Sequence, residues 1–221
     1  MLDVEIEFEA ATAVRPSPRV LETAVMFGLG VDESRRMRLV PRTRIRLRRG
    51  EVLFVTGPSG GGKSTILRLI ANAAAAHGLA VIDASHLPEP RNVPLVDGFD
   101  QPLEQTMELL ARAGLADAFV MLRRPCELSD GQRWRLRIAQ MIDEAEQRRR
   151  ESGALLLIDE FGATLDRLTA KIIARNVSRW VRSARHGLVC ATTHDDLLES
   201  LEPDVLVYKG LGGEIEIESR K

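Results

Sequence analysis

The chain has 221 residues, 44% of them hydrophobic and 4% aromatic, which suffices for one sizeable core and argues against a second full domain. Its formal net charge of −1 argues against binding of nucleic acid by bulk charge, and its two cysteines are typical of a reduced protein, not of a disulfide or metal framework. The sequence has no apolar run of about 18 residues and no basic leader, so we expect a soluble, cytoplasmic protein without direct membrane insertion.

The first 50 residues predict an antiparallel β flank. Residues 4–9 alternate apolar and acidic side chains, as a strand with one solvated face does. Residues 38–47 resume this alternation up to a turn at 48–50, and residues 19–27 between them predict a short helix. We expect the two strands to lead into the core of the domain.

A glycine-rich stretch comes next. Residues 51–56 predict a buried strand and residues 64–71 a helix, and the segment between them fits G-x-x-x-x-G-K-[ST], the phosphate-binding P-loop. Glycines let the backbone curl round an anion, and the helix start adds its positive end. We expect Lys63 to reach the β- and γ-phosphates of a nucleotide and Ser64 to hold Mg²⁺. The loop comprises Gly57, Pro58, Ser59, Gly60, Gly61, Gly62, Lys63, Ser64 and Thr65.

The middle of the chain is mostly helical. Residues 79–83 predict a second buried strand, and prolines mark a loop over residues 88–94. Residues 102–122 then predict a small helical insert. Its apolar side chains on one side are Leu103, Met107, Leu110 and Ala111, with Leu115, Phe119 and Leu122 beyond a break at Gly114.

A second potential anion site opens the next helix, predicted over residues 133–150. Ser129 is a plausible N-cap, Gly131 permits close backbone approach, and the helix start would present N–H groups to an anion. The P-loop already provides one phosphate site. This second one suggests that the helix start serves the nucleotide of a neighbouring molecule.

Two carboxylates follow the aliphatic run at residues 155–158, which predicts a strand buried on both faces. Asp159 is placed to hold Mg²⁺, and Glu160 to polarise the water that attacks the γ-phosphate. An isolated Asp-Glu pair would favour an ordinary solvated turn; the P-loop upstream favours the catalytic interpretation.

The last predicted elements are a buried strand over residues 188–193 and a hairpin formed by residues 205–208 and 214–217. His194 directly follows the first of these strands. A lone histidine there is more often structural, but beside a nucleotide it can donate a hydrogen bond to the γ-phosphate or to the attacking water.

From about residue 35 to the end, these segments resemble the ATP-binding-cassette (ABC) ATPases. In the order of that family, residues 57–65 match its Walker A, 128–132 its signature with Asp130 where glycine is usual, 155–160 its Walker B, 162–166 its D-loop, and His194 its switch histidine. The resemblance implies a P-loop α/β fold with a mostly parallel core sheet, an antiparallel N-terminal β flank and a short helical subdomain. It also implies one domain over residues 1–221, with the flank at 1–50, the core at 51–94 and 153–221, and the helical subdomain at 95–152.

The resemblance further implies ATP and Mg²⁺ as cofactors and a head-to-tail homodimer around two ATP molecules. Each ATP would be bound by the Walker motifs of one subunit and by the signature residues Ser129, Gly131 and Gln132 of the other. Asp166 of the D-loop would complete the site. Gln101 is the best candidate for the Q-loop, a second contact to ATP and Mg²⁺, although the sequence usual around that residue is missing.

What ATP hydrolysis by this chain drives is open to three interpretations. Lys63 and Ser129 are only 66 positions apart (129 − 63), well short of typical transporter subunits, which weakens a transporter role. The details from residue 95 to residue 132 and the C-terminal residues 212–214 resemble stand-alone ABC ATPases, a group with members fused to an acetyltransferase domain, and this favours an unknown soluble protein partner. The alternatives are a transporter subunit and a nucleic-acid-associated ATPase. Nucleic acid is not favoured, because the cations that recur at helical spacing in one segment are more typical of a solvated face. They are Arg167, Lys171, Arg175, Arg179 and Arg182.

Overall fold

The computed structural model describes residues 2–12, 17–30, 35–148 and 153–220. The strands are β1 (Leu2–Thr12), β2 (Arg35–Leu47), β3 (Val52–Thr56), β4 (Ala80–Asp83), β5 (Ala154–Ile158), β6 (Gly187–Ala191), β7 (Val205–Lys209) and β8 (Ile215–Ser219). The α-helices are α1 (Pro18–Met26), α2 (Lys63–Ala76), α3 (Leu103–Arg112), α4 (Ala118–Met121), α5 (Asp130–Gln147), α6 (Arg167–Ala184) and α7 (Leu198–Leu201).

The central sheet has the strand order β4-β5-β6-β3-β7-β8, and all its pairs are parallel except β7 with β8. β1 and β2 form a separate antiparallel pair. This architecture confirms the predicted fold class. Because β3, β6 and β5 are parallel neighbours, their carboxyl ends lie side by side, and ligand sites of such sheets form at that edge.

The sheet separates two apolar cores, and the strand sequences show why. Along β3, Val52 and Phe54 pack into one core while Leu53 and Val55 pack into the other, as the two-residue period of a strand requires. The first core is closed by residues of α3, α5 and α6, and the second by residues of α2 and of the β1–β2 pair. With apolar layers on both faces, β3 holds the P-loop that follows it on a rigid support.

The predicted buried face of the helical insert is wrong. Leu103 and Met107 are 61% and 45% exposed, Ala111 is exposed as well, and of the four predicted residues only Leu110 is buried. The buried face of α3 and its C-cap instead consists of Thr106, Leu109, Leu110 and Ala113. Their spacing of three, one and three residues places them on one side of a helix. Phe119 and Leu122 are also mostly exposed, whereas Leu115 is buried.

Three other expectations change in detail. β4 is an edge strand in which only Ile82 is fully buried, because the sheet covers it on one side alone. α5 ends at Gln147, and residues 149 and 150 of the helix predicted there lie outside the described residues. Among the residues that the structure describes, no helix is both long and apolar enough to cross a bilayer.

Candidate functional site

The P-loop follows β3 and is pressed against the end of β7. Gly57 has φ 135°, and a Cβ added there would lie 2.1 Å from the carbonyl oxygen of Lys209, so only glycine fits. Gly62, in the left-handed conformation, is the N-cap of α2, which begins at Lys63. The backbone thus forms the cradle that a polyphosphate requires, at the positive end of a helix.

Lys63 lies inside this cradle. Its Nζ donates to the carbonyl oxygens of Gly57 and Pro58, both at 2.8 Å. Burial lowers the pKa of Lys63, and the negative charges of Asp159, Glu160 and Asp195 oppose that shift. The structure therefore brings the P-loop lysine together with both predicted carboxylates and with a third, Asp195.

Asp159 and Glu160 follow β5 at the same edge of the sheet. Asp159 and Ser64 line one open cavity of about 430 Å³, and a hydroxyl beside a carboxylate is an oxygen-donor set that fits Mg²⁺. Glu160 has φ 50°, rare for a residue with a side chain, and its N–H donates to Oδ1 of Asp159 at 3.0 Å. Such a conformation costs about 1–3 kcal/mol, and it leaves the Glu160 side chain exposed.

His194 lies half-buried after β6, where its N–H donates to the hydroxyl of Thr192 at 3.2 Å. The next residue was missed by sequence reasoning. Asp195 accepts a short hydrogen bond from the hydroxyl of Thr56, the last residue of β3. Thr56 ends β3 and Asp195 lies after its parallel neighbour β6, so the pairing of these two strands was the signal that could have revealed the contact.

The signature segment forms an exposed, capped helix start. The hydroxyl of Ser129 accepts from the N–H of Gln132 at 3.3 Å, and Oε1 of Gln132 accepts from the N–H of Ser129 at 3.0 Å, a complete capping box. A Cβ added at Gly131 would lie 3.3 Å from the carbonyl oxygen of Thr164. The signature helix therefore packs closely on the D-loop.

Asp166 ends the D-loop as the N-cap of α6. Its Oδ1 accepts from the N–H of Thr169 at 2.9 Å, and hydrogen bonds from the Thr169 side chain and backbone hold the pKa of Asp166 below its ordinary value. In this chain the Asp166 side chain thus stabilises its own helix, and its predicted role toward ATP stays a prediction.

The geometry does not support Gln101 as a residue of this site. Its amide Nε2 donates to Asp143 on α5, and the residues that line the cavity beside Ser64 do not include it. The end of β4 and the turn after it line this cavity instead. Asp83 accepts hydrogen bonds from the N–H and the hydroxyl of Ser85 at 2.8 and 2.6 Å, and Oδ2 of Asp83 lies 3.0 Å from Nδ1 of His86. All three residues line the cavity, and sequence reasoning gave none of them a role.

The cationic face of α6 is partly neutralised. Arg167 and Lys171 pair with Asp196, and Arg182 pairs with the buried Asp204. On α5, the arginines near the signature bond locally: Arg135 donates to Gly114, and others donate to Asp130 and to the loop after β4. These contacts agree with a structural role for the cations.

Comparison with known proteins identifies the family. A family model described as ABC transporter matches residues 41–160, more than half of the chain. The chain belongs to the ABC family. As an ABC ATPase it hydrolyses ATP and uses ATP with Mg²⁺.

Curated relatives include the lipoprotein-releasing system ATP-binding protein LolD of Paramagnetospirillum magneticum, 29% identical over 83% of this chain and 96% of that protein. The sulfate/thiosulfate import ATP-binding protein CysA 2 of Agrobacterium fabrum is 27% identical over 78% of this chain. The alignment spans 58% of CysA 2, so this ABC chain corresponds to only part of that protein.

Solved structures share the fold at low identity. The ATP-binding cassette MJ0796, determined as a dimer in a post-hydrolysis state with ADP and Pi, superposes with a TM-score of 0.63 at 17% identity, over 86% of this chain and 94% of that one. The structure of cbiO1 from Clostridium perfringens gives 0.57 at 17% identity and 82% coverage of both chains. These likenesses concern the fold alone.

Proposed function

We propose that this ABC ATPase works as a homodimer that encloses two ATP molecules and drives a conformational cycle in a protein partner. The observation that carries the proposal is the exposed start of α5. Because the Ser129 hydroxyl accepts from Gln132, its own hydrogen stays available for an anion outside the helix. A chain with a P-loop at one helix start and such a donor at another can close two nucleotides between two copies of itself.

Within each site the residues divide the chemistry of phosphoryl transfer. Lys63 and the N–H groups of the P-loop bind the phosphates, and Ser64 and Asp159 would hold Mg²⁺, which neutralises phosphate charge when bound. Glu160 accepts a proton from the attacking water, and His194 donates a hydrogen bond at the γ-phosphate. The three neighbouring strands β3, β5 and β6 keep these groups in register.

Two observations point to two classes of partner. The names of the curated relatives describe import and lipoprotein-release systems, which supports a membrane transport component as the partner. The short spacing between Lys63 and Ser129 supports the second candidate, a soluble partner of a stand-alone cytoplasmic ATPase of the kind with acetyltransferase-fused members. Exposed apolar side chains on the helical insert, Leu103, Met107, Phe119 and Leu122, offer a contact surface for either one.

The oligomer is tested with Glu160→Gln, which removes the general base and keeps the site for ATP. We expect the variant to be a dimer in ATP and Mg²⁺ and a monomer without nucleotide, measured by light scattering after size exclusion. The double variant Glu160→Gln, Lys63→Ala is the control and should stay monomeric. A Glu160→Gln protein that remains monomeric in saturating ATP would overturn the homodimer.

The partner class is tested with the same trapped dimer. Tagged Glu160→Gln is held with ATP and Mg²⁺ in a detergent-treated lysate of its source, and the double variant again serves as control. An integral membrane protein recovered in stoichiometric amount establishes the transporter class. A soluble protein establishes the stand-alone class, and stoichiometric nucleic acid would replace both with the third interpretation.

A further inference from the structure

Lys209 is a charged residue at an inward-facing position of β7, where an apolar side chain is expected. It ends β7, where Val205 and Val207 face inward in alternation, and as the next inward residue it is fully buried, with 0% exposure. Lysine is almost never buried to this extent unless it is paired. The strand predicted from the sequence ended at residue 208, because the Val-Leu-Val-Tyr segment before Lys209 does not indicate a buried charge.

The residue forms the floor beneath the P-loop. Its carbonyl oxygen lies 2.1 Å from the position of a Cβ on Gly57 and 3.2 Å from that of a Cβ on Gly61. Its side chain runs under the same loop, with Cε 3.7 Å from the position of a Cβ on Gly62, the N-cap of α2. Backbone and side chain of one residue therefore occupy the space beside three glycines of the phosphate loop.

The surroundings of this ammonium group are poor in negative charge. Nζ donates to the carbonyl oxygen of Gly210 at 2.7 Å, and among the described residues no carboxylate lies within ion-pair distance of it. The exposed Glu214 acts only at longer range, and burial lowers the pKa of Lys209. Cε of Lys209 lies near Gly62, the N-cap of α2, and the positive end of a helix disfavours a cation at such a place. A buried, weakly paired cation at a positive helix end is costly in the nucleotide-free protein.

An anion in the P-loop would offset that cost. We propose that Lys209 is a positioning residue of the phosphate site, whose buried charge strengthens the binding of polyphosphate through the P-loop backbone at the expense of the stability of the nucleotide-free protein. The proposal rests on the assignment of residues 57–65 as the phosphate loop. It adds a second lysine to that site, beneath the loop where Lys63 lies within it.

The test compares Lys209→Met, which keeps the length and removes the charge, with Lys209→Gln, which keeps a neutral hydrogen-bond donor. The matched control is Lys171→Met on the exposed face of α6. Affinities for ATP and for pyrophosphate, which lacks the adenosine, are measured by calorimetry, and melting temperatures are measured with and without ATP. Removal of a buried charge near the phosphates should weaken both ligands about tenfold, that is by about 1.4 kcal/mol.

The two roles of a buried lysine predict opposite results. If the charge serves the phosphates, both Lys209 variants lose affinity and melt no lower than the wild type without nucleotide, while Lys171→Met binds normally. If Lys209 only props the loop, its variants melt lower without nucleotide, or fail to fold, and any folded variant binds pyrophosphate as the wild type does; that result overturns the proposal. A wild-type protein that binds neither ligand would instead refute the phosphate-loop assignment itself.

Discussion

The indole ring of Trp134 meets the phenyl ring of Phe161 edge to face, with centroids 5.2 Å apart and ring planes at 76°. Trp134 lies in the second turn of α5, and Phe161 directly follows Glu160. The N–H of Phe161 also donates to the carbonyl oxygen of Ala191 at 2.8 Å, which fixes its backbone to β6. This aromatic pair therefore connects the signature helix to the segment that positions the proposed general base.

Trp134→Ala should lower both stability and turnover. Trp134 is only partly buried, and an aromatic pair of this kind is worth about 1 kcal/mol beyond the apolar area that it buries. A displaced Phe161 would also shift Glu160. Urea denaturation and ATPase assays of the folded fraction measure the two effects. Phe119→Ala is the control, because that ring is 78% exposed and its removal should leave stability unchanged. Wild-type turnover in Trp134→Ala would show that the pair does not position Glu160.

Ser129→Asp should separate the capping role of Ser129 from its role toward ATP. Aspartate is as good an N-cap as serine, so the helix keeps its stability, but the carboxylate offers no hydrogen and repels phosphate. Ser129→Ala should lose about 1 kcal/mol of unfolding free energy as well. Thermal melting together with ATP-dependent dimerisation distinguishes the variants. A Ser129→Asp protein that still dimerises with ATP would contradict a contact of this residue with nucleotide.

The turn after β4 should control the Mg²⁺ requirement more than Gln101 does. Asp83→Ala removes the acceptor for both Ser85 bonds, so the cavity beside Asp159 loses its shape and ATPase activity should need several-fold more Mg²⁺. Gln101→Ala should mainly release Asp143, whose pKa burial already raises, and change stability by about 1 kcal/mol. Magnesium titrations of the ATPase rate compare the two. A larger effect of Gln101→Ala would restore the Q-loop prediction.

Replacement of Glu160 by glutamine or glycine should lower turnover, and the glycine variant should be at least as stable as the glutamine variant. Both Glu160→Gln and Glu160→Gly lose the general base, and we expect turnover to fall at least about 100-fold. At φ 50° glycine avoids the strain of a left-handed side-chain residue, so Glu160→Gly should unfold at the same or higher denaturant concentration than Glu160→Gln. Normal turnover in either variant would exclude Glu160 as the base.

The pH dependence of stability should report on Lys209. Its folded pKa is lowered by burial, so between that value and the ordinary lysine pKa of about 10.4 the unfolded chain binds more protons than the folded one. The free energy of unfolding of the wild type should therefore rise with pH in that window relative to Lys209→Met. Urea midpoints of both proteins from pH 7 to 10 measure the difference. A difference independent of pH would mean that the lysine is not destabilised by burial.

Local pattern and motif spacing sufficed for the core strands and for the choice of candidate site residues that the structure brings to one edge of the sheet. The aliphatic runs before Gly57 and Asp159 predicted β3 and β5, and Ser129, predicted as an N-cap, is the N-cap of α5 in the structure. Each of these signals lies within a few residues, where hydrogen-bond geometry and the period of the element determine the outcome.

Contacts between distant segments could not be predicted in the same way. Whether Asp195 meets Thr56 depends on which strands pair, and the burial of Lys209 depends on the loop that packs over it. Likewise, the apolar residues Leu103 and Met107 looked suitable for a core, but the side that α5 and α6 cover determines which face of α3 is buried. The apolar periodicity of a helix gives the possible buried faces, and the neighbouring elements determine which of them is buried.

The close approach of Gly57 to the backbone of β7 limits which substitutions position 57 can accept during evolution. A methyl group at Gly57 would collide with a carbonyl oxygen at 2.1 Å, whereas one at Gly131 would lie 3.2 Å from Cδ2 of Leu165 and 3.3 Å from the carbonyl oxygen of Thr164, tight contacts that a small shift can relieve. In a library of all single substitutions, position 57 should accept no replacement at all, while Gly131→Ala should survive with reduced activity. The glycine that begins the P-loop and the glycine of the signature segment thus leave very different room for genetic variation.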